Sequence, residues 1–72
     1  MSEFVMVLGV IEGPFNPDYD PDTWSLLCTL QTQDGKVSVD EVRAKSFQEL
    51  YDLRTKVQLN GPQQVEMNWV DS

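Results

Sequence analysis

Asn16, Asp18, Asp20 and Asp22 occupy every second position of the stretch PFNPDYDPDTW. Alternating side-chain oxygens are how a calcium-binding EF-hand loop begins. Such a loop also needs a glycine at its sixth place for the sharp turn and a bidentate Glu at its twelfth. Counted from Asp18, those places hold Thr23 and Thr29, so neither requirement is met. Pro17 and Pro21 further restrict a backbone that would have to wrap an ion. Two readings of the loop stand beside the metal reading. In one it is a solvated connection whose aspartates favour turns. In the other Phe15 and Tyr19 are aromatic anchors, and Asp18, Asp20 and Asp22 form the charged rim of a protein-binding patch.

Other chemistry is thinly provided for. The chain has no histidine to serve as a base near neutral pH. Its single cysteine, Cys28, falls on the apolar parity of an alternating segment, the setting of a buried, inert thiol. One cysteine makes no intrachain disulfide, and without histidine no usual zinc ligand set can be assembled. Asp40 and Glu41 are adjacent, and neighbours on a strand point to opposite faces, so they do not form an acid–base pair. The residues predict a non-enzyme with no cofactor and no metal.

Length and charge narrow the classes further. Seventy-two residues make one domain, 1–72, with a Pro/Asp-rich loop at 13–22. The net charge is −7, from 12 acidic and 5 basic residues, and no Lys or Arg precedes Lys36. A strongly acidic face repels phosphate backbones, which argues against direct contact with nucleic acid. The same face is steered toward a basic protein surface. The apolar run Phe4 to Ile11 is too short to cross a bilayer and lacks the flanks of a signal peptide. With an unpaired thiol, this predicts a cytoplasmic protein with no membrane association.

The elements that must position these residues can be read from periodicity. Phe4 to Ile11, rich in β-branched residues and stopped by Gly13-Pro14, reads as a strand. Its apolar residues occupy both parities, so it is either a central strand or an exposed one awaiting a partner. In Trp24 to Gln31, Trp24, Leu26, Cys28 and Leu30 alternate with the rest as one apolar face. Asp34-Gly35 reads as a two-residue hairpin turn. Val37, Val39 and Val42 then form a return strand with an irregularity near Asp40-Glu41, where the parity slips. Ser46 and Glu49 have the spacing of a capping box. A helix follows through Leu50, Leu53 and Val57, with Arg54 and Lys56 toward its negative end. Asn60-Gly61-Pro62 stops it, and Val65, Met67 and Trp69 give a last strand. The predicted order is β-β-β-α-β: an α+β domain with one helix packed across a small antiparallel sheet of three to four strands. Trp24 and Trp69 are expected on the sheet face under the helix.

The opening MSEFVMVLGVIEGPFNPDYDP, the acidic hairpin-helix-strand body and the chain length together resemble small bacteriophage regulators that bind host RNA polymerase, of the kind carried by phages of Xanthomonas. The resemblance covers the whole chain without a family motif, so it assigns no residue. It implies a large polymerase subunit as partner, in the host cytoplasm. It also implies inhibition of transcription initiation, or antitermination, as the outcome. On the residues themselves, the contact candidates are Phe15, Asp18, Tyr19, Asp20 and Asp22 in the loop and Phe4, Val5, Met6 and Leu8 in the first strand. Two alternatives remain at this stage. One is an acidic DNA mimic, such as an anti-restriction or anti-CRISPR protein, whose carboxylates imitate phosphates. The other is an accessory subunit whose first strand completes a partner's sheet.

Overall fold

A computed structural model describes residues 3–70; the first two and last two positions of the expected domain lie outside the described residues. The order is β1 (Phe4–Phe15), β2 (Trp24–Gln31), β3 (Val37–Ala44), α1 (Phe47–Asn60) and β4 (Gln63–Glu66), followed by a 3₁₀ turn at Met67–Trp69. All strand pairings are antiparallel, in the spatial order β3-β2-β1-β4. The α+β class and the β-β-β-α-β order match the sequence expectation. Beyond the 3₁₀ turn, Val70 bridges Val42 on the far edge of β3. The sheet therefore curls until its last segment returns to its first edge, and α1 packs against the inside of the curl.

The apolar residues on both parities of β1 are resolved by irregular pairing. Its partners in β2 run Val7 to Leu30, Gly9 to Thr29, Val10 to Cys28, Glu12 to Leu27 and Phe15 to Ser25, with breaks in register after Val7, after Val10 and after Glu12. Each break inserts a residue and resets the parity. Val5, Val7 and Val10 all end on the core side, although strict alternation would have turned Val10 outward. β1 is a central strand, and it does not stop at Gly13-Pro14 but continues to Phe15. Gly13 is required there: its φ is 114°, and a Cβ would lie 2.8 Å from the Ser25 carbonyl oxygen.

The core joins Leu26, Cys28, Leu30 and Val42 of the hairpin to Val5, Val7 and Val65, with Leu50, Leu53 and Val57 of α1 closing it. Trp24, Trp69 and Val70 pack at its margin. Several local expectations are corrected. The hairpin turn is a three-residue loop, Gln33 to Gly35. Gly35 N–H donates to Thr32 O, Thr32 N–H donates to Lys36 O, both at 2.9 Å, and Gly35 has φ 90°. The Thr32 hydroxyl also donates to Asp34, which holds that carboxyl below its ordinary pKa. β3 pairs with β2 without a break from Val37 to Ala44, so the irregularity expected at Asp40-Glu41 is absent. Ser46 is the N-cap but makes no side-chain hydrogen bond, so the capping box does not form. The last turn of α1 holds no basic residue. Arg54 instead donates to Gly13 O at 3.0 Å and lies over the Tyr51 ring. The final strand ends at Glu66, because Met67–Trp69 coil into the turn that carries the chain across to β3.

Candidate functional site

The β1–β2 loop is braced from within. Asn16 Nδ2 donates to Thr23 O at 2.8 Å and reaches Pro21 O at 3.4 Å. Asp20 N–H donates to Pro17 O at 3.1 Å, and the Thr23 hydroxyl donates to Asp20 O at 3.1 Å. One Asp20 carboxylate oxygen faces Asp22 N–H at 3.3 Å. Pro17 is buried beneath these contacts. Of the alternating side chains, Asn16 through its amide nitrogen and Asp20 through a carboxylate oxygen shape the turn, and among the described residues no three Asp, Glu or Cys groups converge on a common point.

Tyr19 links this loop to the sheet. It is 58% exposed, yet its hydroxyl donates to Glu41 Oε1 and its ring lies 5.1 Å from the Arg43 guanidinium carbon. The hydrogen bond to Glu41 is the largest influence raising the phenol to about 12. Desolvation and the Glu41 charge add to it, against opposing effects from Arg43 and Ser25. Ser25 acts on the phenol without a well-formed hydrogen bond to its own buried Oγ.

Strand register shows what surrounds Tyr19. Residues opposite one another point to the same face. The outer face therefore has rows of Arg43, Ser25 and Phe15, then Glu41, Leu27 and Glu12. Below them come Val39, Thr29 and Gly9, then Val37, Gln31 and Met6. Val37 and Val39 are 57% and 59% exposed, and Ile11, at the second bulge of β1, is 57% exposed. Exposed valines on β3 and Ile11 on β1 thus flank Thr29 and Gln31 of β2, beside a polar end at Tyr19, Glu41 and Arg43, with Asp18 and Asp22 exposed in the loop above.

The residues singled out from the sequence divide between places. Phe15 and Tyr19 come to one end of this face, Phe15 half-buried opposite Ser25. Asp20 is partly buried and engaged within the loop. Phe4 and Met6 are half-buried at the other end, opposite Glu66 and Gln64, and Leu8 is half-buried at the first bulge. Val5 is removed from the contact set: at 2% exposure it is a core residue. Over Phe4 to Ile11, the segment weighed for strand addition, β4 pairs with positions 4–7 and β2 pairs from Met6 onward. The site residues not foreseen are Ile11, Val37, Val39, Glu41 and Arg43. Counting back from Val42 in unbroken alternation would have put the valines outside.

A smaller cluster lies at the start of α1. Phe47 packs edge-on against Trp24 at 5.0 Å and stacks on Tyr51 at 5.8 Å. It supports the helix rather than opening a groove.

The fold and this face define a small α+β protein with a curled four-stranded sheet and a mixed outer face, on which exposed Val37, Val39 and Ile11 lie among Thr29, Gln31, Glu12 and Glu41. Comparison of the chain with protein-family models, curated proteins and solved structures finds no match. Among the described residues no helix is long and apolar enough to cross a membrane.

Proposed function

We propose that the protein is a protein-binding regulator that docks through the outer face of β1, β2 and β3 and the acidic loop above it. The observation that carries this reading is the exposure of Val37, Val39 and Ile11 on the face that also holds Tyr19, fixed by Glu41 and Arg43. A side chain fixed before binding loses less entropy on association. An apolar centre with a charged rim is the usual anatomy of a protein interface. Asp18, Asp22 and Glu12 suit a partner with a basic rim.

The resemblance of the chain to phage regulators makes a large subunit of host RNA polymerase the proposed partner, with inhibition of initiation or antitermination as the consequence. The reading is of a non-enzymatic protein acting in the cytoplasm. By connectivity alone, the curled sheet is analogous to small Greek-key barrels that bind oligonucleotides on strands 2 and 3 and the loop between strands 1 and 2. The carboxylates around that face disfavour a polynucleotide and favour a protein. The DNA-mimic reading is weaker, because Arg43 interrupts the carboxylates.

The test is binding to purified bacterial RNA polymerase alongside promoter-dependent transcription. The wild-type chain is expected to bind and reduce initiation or termination. Val39→Asp should weaken binding at least tenfold while the fold persists. Binding unaffected by Val39→Asp and by Tyr19→Ala would remove this face from the account.

A further inference from the structure

We infer that the open edge of β3 pairs with the same edge of a second copy of the chain, forming a two-fold symmetric dimer with one sheet continued across both. This goes beyond the polymerase reading and does not depend on it.

β3 is the last strand of the sheet, and beyond it the one bridge among the described residues joins Val42 to Val70. Among the described residues, nothing pairs with the edge over positions 37–41. Lys36, Val37, Ser38 and Val39 are all exposed. Thr32 N–H donates to Lys36 O, and hydrogen-bonded pairs in an antiparallel ladder recur every second residue. The backbone groups of Lys36, Ser38 and Asp40 are therefore turned to β2 and those of Val37 and Val39 to the open edge, while the Glu41 N–H is already taken by Asp40. Natural edges are commonly blunted by proline or a bulge, and this one has neither.

The residues select both the occupant and its register. In an antiparallel pair of identical strands centred on Ser38, Val37 lies opposite Val39 of the second copy. The two exchange N–H and C=O bonds and pack side by side on the outer face. On the inner face Lys36 lies opposite Asp40 of the second copy, and symmetry repeats every pair. Apolar pairs and opposite charges directly across a ladder are the favourable ones. Centring on Val39 sets Val37 against Glu41, and centring on Asp40 sets that carboxylate against itself. One Asp40 oxygen accepts from Glu41 N–H at 2.8 Å, leaving the other for the incoming lysine. A cleft of about 480 Å³, lined by Val5, Leu30, Thr32, Ser38, Asp40 and Asn68, lies on the inner side of this edge. It leaves room for that side chain.

The experiment is sedimentation velocity of the whole chain up to millimolar concentration, on wild type, Lys36→Asp and Asp40→Lys. Wild type should dimerise, and each charge reversal alone should weaken the dimer about tenfold. An equimolar mixture of the two variants should recover it, because only the mixed pair restores both opposite-charge contacts. Amide exchange of wild type gives a reading independent of any variant. The Val37 and Val39 amides should slow as concentration rises. A chain that stays monomeric overturns the inference, as does a dimer indifferent to both reversals or a mixture that recovers nothing. Edge amides that slow only when RNA polymerase is added assign the edge to a partner's strand instead.

Discussion

Tyr19 and Cys28 are both raised in pKa, for opposite reasons. Tyr19 is exposed, and its phenol is raised to about 12 chiefly because it donates to Glu41. Absorbance titration of wild type minus Tyr19→Phe should isolate a phenol ionising well above the ordinary value of about 10. In a Glu41→Gln background that component should fall back toward 10. A Tyr19 that titrates normally in wild type would break the link between loop and sheet. Cys28 is wholly buried, and burial pushes its thiol up to about 12. A pKa raised by folding means that the native state holds its proton longer. The stability tied to the neutral thiol is intact below the unfolded value of about 8.5 and is lost as pH rises toward 12. Cys28→Ala should cost about 1–2 kcal/mol at pH 7, and thermal melts should show that deficit shrinking above pH 9. A deficit independent of pH would place the thiol in contact with water. The inward direction of Cys28 was legible from strict alternation in β2. The tie from Tyr19 to Glu41 and Arg43 was not, because it joins a loop to a strand through space.

At the scale of elements, the strand and helix types were legible from periodicity, and the misreadings lie where pairing overrides pattern. The three register breaks of β1 depend on its neighbour in the sheet and leave no mark in its own alternation. The parity slip assigned to β3 assumed that every valine faces inward, whereas Val37 and Val39 face solvent. β1 runs on to Phe15 because Gly13 adopts φ 114° and passes against Ser25 and Leu26 of β2. Gly13→Ala should therefore destabilise by about 2–4 kcal/mol, from backbone strain and steric overlap together. Denaturant unfolding measures this, and a loss under 1 kcal/mol would contradict the close approach. Ser46→Ala should cost only a few tenths of a kcal/mol, well below the usual loss of about 1 for a bonded cap. Leu50→Ala, fully buried where α1 meets the sheet, should cost about 3 kcal/mol.

For the whole molecule, a chain this short has little surface to bury and spends its core on one side of a curled sheet. The other side carries Val37, Val39, Ile11 and the Tyr19 loop, and the residues that shape the core do not explain their exposure. Net charge pointed to a protein partner, and the fold gathers the exposed valines and the acidic loop onto one face. Only the register of three strands revealed that arrangement. The most direct test of the docking claim is the affinity of purified bacterial RNA polymerase for wild type and for Val39→Asp, with circular dichroism confirming that both are folded. Tight binding by wild type and a loss of at least tenfold in the variant is the predicted result. Equal affinities, or no binding by a folded wild-type chain, would contradict it.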